Sequence, residues 1–425
     1  MKRVVLSSYG SRGDVEPVVA LALRLRELGA EVRVCVPPDF AELVGAAGLP
    51  MVALAWPIRA LATGRVPGKT SLPDIAAELT ALADAAVIKA AGTEAAGTEV
   101  ADGGTAADGV RDLAVVATGS LPAVAGARAA AERLGAAWAF AALSTSYLPS
   151  PHQAPAHWPG QEVPAEGADN RALWDLNSAH LQALFGPTVN AHRASVGLPA
   201  VDGVRDHVHG DHPLLATDPV LGPWRETSDL DVTQTGAWLR TDERPLPADL
   251  VEFLAAGSAP VYVGFGSMPL RGADPAEVSR AVVAAARALG RRVLLGSGWA
   301  GLSPVDEGDD VLVVGDVNHQ ALFRRVAAVV HHGGAGTTVT AAGAGVPQVL
   351  VPQVADQPYW AGRVAGLGIG VAHDGPVPTA ESLTAALTTA LSPGVRERAA
   401  ALAPTIRTDG AAVAAKLVLD AVGPA

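Results

Sequence analysis

The sequence predicts an α/β protein of two halves, each a parallel sheet covered by helices. Three observations carry that prediction. Short β-branched runs alternate with amphipathic segments along most of the chain, the pattern left by strand–helix–strand crossovers. Glycine-bearing turns follow several of these runs, where a strand would hand over to a helix. A polar, proline-punctuated stretch from about 216 to 247 separates the two sets of repeats.

In chain order, 3–8 (RVVLSS) reads as the first strand, 9–13 as a turn, and 15–28 as a helix with Leu21, Leu25 and Leu28 at helical spacing. Gly29 stops that helix and 31–36 (EVRVCV) begins the second strand. Strands at 113–117 and 137–143 flank a helix over 123–134. Between these elements, 81–112 is rich in Ala, Gly, Thr and Asp and repeats AAGTE at 90–94 and 95–99; it is expected to be a loosely held surface insertion or a frayed helix. The loop 147–170, with its prolines, histidines and tryptophan, is too long for a mere connector and either lines a binding site or is disordered. The second half begins with a strand at 260–265. A helix at 275–289, strands at 292–295 and 311–314, a short helix after His319 and a strand at 327–330 follow. Two Rossmann-like halves with a cleft between them are the simplest reading.

Composition bounds the function. With 425 residues, 49% hydrophobic and 17% charged, the chain can bury a large core. A net charge of −12 argues against a duplex nucleic-acid partner, which needs a basic face, but leaves open a small phosphorylated ligand held by backbone N–H groups. Cys35 is the only cysteine, so no intramolecular disulfide or cysteine metal cage can form, and a reducing, cytoplasmic compartment is expected. The apolar run after Met1-Lys2-Arg3 ends at Ser7-Ser8, too early for a secretory segment. The uncharged stretch 333–355 is long enough to span a bilayer, yet Pro347, Gln348, Pro352 and Gln353 mark it as soluble core.

Four turns could carry chemistry. In Gly10-Ser11-Arg12-Gly13-Asp14, Asp14 is either a helix N-cap or a carboxylate placed to take a proton from a substrate hydroxyl, with Arg12 near an anion. GSGWAG at 296–301 matches a dinucleotide pattern, but no helix opens after it to hold a pyrophosphate; Trp299 could instead form an aromatic wall for a base. HHGGAGTT at 331–338 follows a strand and precedes a small-residue helix, which reads as a diphosphate site or as a plain tight turn with a buried histidine. It lacks a P-loop lysine, so ATP hydrolysis is not expected. At 352–358, Asp356 and Gln357 are suited to bidentate contacts with sugar hydroxyls, although surface polarity would explain the same residues. The three histidines of 206–212 could suggest a metal site; without a distant fourth ligand a solvated loop is the simpler reading, and no metal is expected.

Taken together, these residues resemble the family 1 nucleotide-sugar glycosyltransferases of the GT-B fold, and within them the subgroup acting on vancomycin- and teicoplanin-type glycopeptide aglycones. The likeness is densest in GSRGDVEP (10–17), TQTGAW (233–238), VYVGFGSM (261–268), 315–338, 355–379 and TDGAA (408–412). It implies two Rossmann-like domains with parallel sheets facing across a deep cleft: an acceptor domain over 1–218, a linker over 219–240, a nucleotide-sugar domain over 241–405, and a C-terminal helix over 406–425 packing back on the first domain. Where many members carry a histidine base, Asp14 stands here as in the glycopeptide subgroup, with Ser11 orienting an acceptor hydroxyl or donor phosphate. Arg12, Ser267, His332, Gly334, Gly336 and Thr337 are then expected at the diphosphate, Trp299, Val317 and Gln320 around base and ribose, and Asp356 and Gln357 at the donor sugar. Tyr147, His152, His157 and Trp158 would line the acceptor cleft. The resemblance implies an inverting, metal-independent hexosyl transfer from a UDP- or dTDP-sugar co-substrate to an aromatic or hydrophobic small-molecule or peptide acceptor, a glycopeptide aglycone first, in antibiotic biosynthesis; the alternatives are the same transfer to a polyketide, lipid or sterol, and a catalytically silent GT-B protein that binds nucleotide sugar and supports a partner enzyme. No cofactor, nucleic acid or membrane span is implied, and a monomer is expected.

Overall fold

Val4–Tyr9 are all buried because their strand lies at the centre of a parallel sheet covered on both faces, where alternation of polar and apolar residues has no use. The computed structural model describes residues 1–62, 71–92, 112–156, 169–267, 270, 272–306 and 308–422. The first half runs β1 (Arg3–Tyr9), α1 (Arg12–Glu27), β2 (Glu31–Val36), α2 (Ala41–Ala46), β3 (Met51–Ala53), α3 (Ile58–Ala62), α4 (Leu72–Ala90), β4 (Leu113–Gly119), α5 (Leu121–Leu134), β5 (Ala137–Ala142), α6 (Asn170–Ser195), α7 (Val204–His209), β6 (Leu214–Leu215) and β7 (Thr233–Gln234). The second runs α8 (Ala248–Ala255), β8 (Val261–Gly264), α9 (Pro275–Ala288), β9 (Val293–Gly296), β10 (Val311–Val314), α10 (His319–Leu322), β11 (Ala328–His331), α11 (Ala335–Gly343), β12 (Gln348–Leu350), α12 (Gln357–Gly366), β13 (Gly370–Ala372), α13 (Ala380–Ala390), α14 (Pro393–Leu402) and α15 (Gly410–Ala421).

Among the described residues the strands form a seven-stranded sheet, β3-β2-β1-β4-β5-β6-β7, and a six-stranded sheet, β10-β9-β8-β11-β12-β13. Every pairing is parallel, as the crossover pattern predicts. In both sheets the order reverses beside the first strand, between β1 and β4 and between β8 and β11, which opens a crevice at the carboxyl ends. Those ends carry Ser11 and Asp14 in one half and the His331–Gly334 turn in the other.

Three segments differ from expectation. Residues 81–90, expected to be a loosely held insertion or a frayed helix, complete α4 as a packed helix whose Ala83, Ala86, Val87 and Ala90 are buried. Alanine here is packing rather than low complexity: α5 approaches so closely that a Cβ on Gly126 would lie 2.1 Å from the Thr80 carbonyl oxygen. Residues 93–111, including the second AAGTE, lie outside the described residues, as do His157 and Trp158. A second difference is α6, a helix that the sequence reading did not anticipate because Gly186 and Pro187 interrupt it. Third, β7 falls inside the stretch expected to be linker and pairs with β6.

The halves are joined by more than the chain. Arg363 of α12 donates to the carbonyls of Leu221 (2.8 Å) and Val220 (3.0 Å). α15 returns to α1, burying Ala411, Ala414, Ala415 and Val418 in the same cluster as Val15, Val18 and Val19. Among the described residues no helix is long and apolar enough to cross a membrane.

Candidate active site

Asp14 is the N3 residue of α1, not its N-cap; Ser11 holds that position. Ser11 donates to Asp14 Oδ2 through its backbone N–H (2.7 Å) and its hydroxyl (3.2 Å); the first of these, with the Asp14 backbone N–H donated back to the Ser11 hydroxyl oxygen, makes a capping box. Both bonds donated by Ser11 land on one oxygen, Oδ2. Gly10 is required for this arrangement, since a Cβ there would lie 2.2 Å from Asp14 Oδ2. Burial pushes the Asp14 carboxyl up to about 6; the Ser11 bonds oppose that rise and the negative charge of Asp356 adds to it.

Asp356 reaches the same place from the second half. Its Oδ2 accepts from Trp360 Nε1 at 2.7 Å. Burial pushes its carboxyl up to about 6 as well, against the bonds from Trp360 and the Tyr147 hydroxyl. Tyr147 comes from the loop after β5, and its own ionisation is driven well above the usual range, first by burial and then by Asp356 and Asp14, so it remains an O–H donor. Two carboxylates and a phenol from both halves thus converge in the cleft. Gln357 beside Asp356 is buried, and its Oε1 accepts from the N–H groups of Gln353 (2.7 Å) and Val354 (3.1 Å), leaving only its amide nitrogen for a ligand.

The turn after β11 is built by the first histidine so that the second can face the cleft. His331 is wholly buried and accepts from Gly333 N–H at Nδ1 (3.1 Å), so its proton sits on Nε2, toward Gln348 Oε1 (3.0 Å). His332 is held neutral by burial, its pKa lowered to about 4, and its Nδ1 is buried with no hydrogen-bond partner among the described residues. Gly334 must lack a side chain, because its Cβ would lie 2.7 Å from His332 Nε2. Gly334 is also the N-cap of α11 and offers no capping side chain, so the N–H groups of Ala335, Gly336 and Thr337 have no capping partner. A Cβ on Gly336 would meet nothing within 4 Å. That combination can hold an anion.

Most of the other expected donor-site residues already have partners within the protein. The Arg12 guanidinium lies between Glu16 (2.8 Å) and Asp316 (3.0 Å), an ion pair across the cleft, instead of at the α11 turn. Its backbone N–H donates to the Ser267 hydroxyl at 3.3 Å, so Ser267 faces the start of α1. Trp299 stands beside the strand ends, its N–H on the Gly266 carbonyl at 2.8 Å, and the Arg59 guanidinium of α3 lies 4.8 Å over its ring. Val317 is core, leaving only its backbone for a base. The Gln320 amide holds the segment after 239, donating to the Arg240 carbonyl (2.7 Å) and accepting from Asp242 N–H (3.3 Å). His152 is exposed. The histidines of 206–212 scatter: His207 lies on Glu132, buried His209 stacks on Phe140, and His212 pairs with Asp231; among the described residues no three His, Cys, Asp or Glu could share a metal.

Sequence reading missed Glu16, Asp316 and Trp360. The i,i+4 spacing of Arg12–Glu16 and Asp356–Trp360 was a readable signal for two of them. Nothing local announces that Asp316 meets Arg12.

Family models match both halves: a glycosyltransferase family 28 N-terminal domain over residues 4–99, and the C-terminal domain of erythromycin biosynthesis protein CIII-like proteins over 303–415. Three proteins of Amycolatopsis orientalis align over nearly the whole chain. Glycosyltransferase GtfE and vancomycin aglycone glucosyltransferase are each 50% identical, and dTDP-epi-vancosaminyltransferase is 48% identical, in every case covering 99% of this chain and 98% of the relative. Solved structures with the same fold include the kitacinnamycin glycotransferase (TM-score 0.69, 21% identity, covering 99% of this chain and 98% of that one) and the calicheamicin glycosyltransferase CalG4 (TM-score 0.65, 21% identity, covering all of both).

Proposed function

The chain belongs to the vancomycin-type glycopeptide glycosyltransferases of the GT-B fold, and from that premise we propose that it moves a sugar from a UDP- or dTDP-sugar to a hydroxyl of a glycopeptide antibiotic aglycone, with inversion and without a metal ion. The observation that carries the chemistry is the meeting of Asp14 with Asp356 beside the uncapped start of α11. The acceptor class rests on the relatives at 48–50% identity.

In this reading Asp14 Oδ1 takes the acceptor proton as the acceptor oxygen attacks the anomeric carbon, and the nucleoside diphosphate leaves from the opposite face. A single displacement inverts the configuration. Negative charge growing on the diphosphate is met by the N–H groups of Ala335, Gly336 and Thr337 and by a neutral His332, donors already in place before reaction. Ser267 and the backbone near Val317 would complete the donor site, with Trp299 as the platform for the base once Arg59 yields or stacks on its far side. Asp356 and the Gln357 amide nitrogen would hold donor-sugar hydroxyls.

The test is mass analysis after incubating the protein with UDP-glucose or dTDP-glucose and a panel of acceptors: vancomycin- and teicoplanin-type aglycones, a flavonoid and a sterol. A hexose adduct on a heptapeptide aglycone, of inverted anomeric configuration by NMR and undiminished by EDTA, is expected. Adducts on the flavonoid or sterol alone would withdraw the acceptor class, and loss with EDTA that Mg²⁺ restores would withdraw metal independence.

A further inference from the structure

Asp356 stands at the N-cap of α12, yet its side chain caps nothing. An N-cap aspartate ordinarily has extended backbone and accepts from the N–H groups of the first turn. Asp356 is already helical (φ −83°, ψ −4°), which aims its carboxylate away from those donors. The bend that allows this falls on Ala355, whose φ of +59° is one that a residue with a Cβ rarely adopts. Gln357 Oε1 secures the bend by accepting from the N–H groups of Gln353 and Val354.

What receives the carboxylate is an indole. Trp360 is fully buried, packed with Leu221, Ala237, Val339 and Leu350, and its single polar atom makes the 2.7 Å bond to Asp356 Oδ2. Two departures from the least strained local structure, a left-handed alanine and an uncapped helix, are therefore adjacent and serve one side chain. Tyr147 approaches that side chain from the other half of the molecule.

We propose that Trp360 is a positioning residue for sugar transfer: its buried indole holds the Asp356 carboxylate at the cleft in place of a capping role. The proposal rests on the reading of Asp356 as a group that faces the donor sugar. Burial of Trp360 leaves it no contact with substrate, so it acts only through Asp356.

The experiment compares Trp360→Phe, Tyr147→Phe, Asp356→Asn and the Trp360→Phe/Asp356→Asn pair in the full-length protein, with steady-state kinetics and a pH profile. Trp360→Phe keeps an aromatic ring in the core and loses the N–H. It should lower kcat by roughly ten- to a hundredfold, the range for a misplaced group, with a smaller change in KM. The acid limb of kcat/KM should move to higher pH, because a bond that held Asp356 down is gone while Asp14 and Tyr147, the titratable groups facing it, remain. Tyr147→Phe should move the limb the same way without touching the α12 core. In the double variant Trp360→Phe should add nothing to Asp356→Asn. An impaired Asp356→Asn beside a Trp360→Phe of wild-type rate and pH profile overturns the proposal. So does a rate loss that adds fully to Asp356→Asn with the limb unmoved, the signature of loosened packing. Full activity in Asp356→Asn would instead remove the reading of Asp356 on which the proposal stands. If Trp360→Phe does not fold, Trp360→Met fills the space flexibly and carries the same readouts.

Discussion

Asp14 meets two demands that compete. As the N3 partner of Ser11 it closes the first turn of α1, and in the base role proposed for it, it must also offer an oxygen to the acceptor proton. The Ser11 bonds fall on Oδ2, which leaves Oδ1 as the oxygen for the second demand. The consequence for pH is definite. A carboxyl raised to about 6 in the folded protein binds its proton more tightly there than in the unfolded chain, so the stability it contributes is present below the unfolded value of 3.8 and is lost as pH rises through about 6. Asp14→Asn should therefore melt higher than wild type at pH 8, with the difference shrinking toward pH 5; thermal melts across that range check the sign. The same variant should lose at least about 10²-fold in kcat with donor affinity near wild type, as removal of a positioned base requires. Wild-type kcat/KM should fall as pH drops below about 6, since Asp14 and Asp356 both take up protons there. Equal activity in Asp14→Asn would leave Asp14 with its capping role alone. The motif at 10–14 was legible in sequence, but the placing of Ser11 at the N-cap and Asp14 at N3, with both Ser11 bonds on one carboxylate oxygen, was not.

Helix α11 shows the same principle over a whole element. Its Gly336 sits in helical backbone with open space where a Cβ would go, so neither conformation nor packing calls for glycine. Gly336→Ala should raise stability by about 0.5–1 kcal/mol through helix propensity. If the space belongs to a diphosphate, the same change should weaken UDP or dTDP binding by about tenfold or more, an effect of at least about 1.4 kcal/mol. Calorimetry and thermal melts on one variant separate the two effects, and a stabilised protein with unchanged nucleotide affinity would move the diphosphate elsewhere. Helical spacing of leucines marks α1, and α5, α9 and α11 were legible from their place between strands and turns. Periodicity did not find α6, because Gly186 and Pro187 read as breaks while packing of Trp174, Leu181, Phe185 and Val189 carries the helix through them. It undervalued α4 because an alanine-rich face looks featureless until α5 is laid against it.

Across the whole molecule, apolar burial and surface ion pairs connect the two halves with unequal strength. Ala415 of α15 is wholly buried against the α1 cluster, so Ala415→Asp should cost more than about 3 kcal/mol, with loss of soluble protein or a large fall in melting temperature as the readout. Arg12–Asp316 crosses the cleft with both side chains partly in solvent, and Asp316→Ala should change stability by no more than about 1 kcal/mol. A melting curve as severe for Asp316→Ala as for Ala415→Asp would reverse that ranking. The division between sequence and structure follows from range. Strand–turn–helix order, the glycine turns at 10–14 and 331–338 and the carboxylate–amide pair at 356–357 are local patterns, so the sequence by itself determined the two-sheet architecture and most of the residues that meet in the cleft. Pairings between residues far apart in the chain were decided only by tertiary structure: Arg12 with Asp316 instead of an anion, Tyr147 with Asp356, Arg59 over Trp299, and Gln320 turned to the backbone at 240–242. Those depend on how two independently formed sheets pack, and no spacing along the chain records that distance.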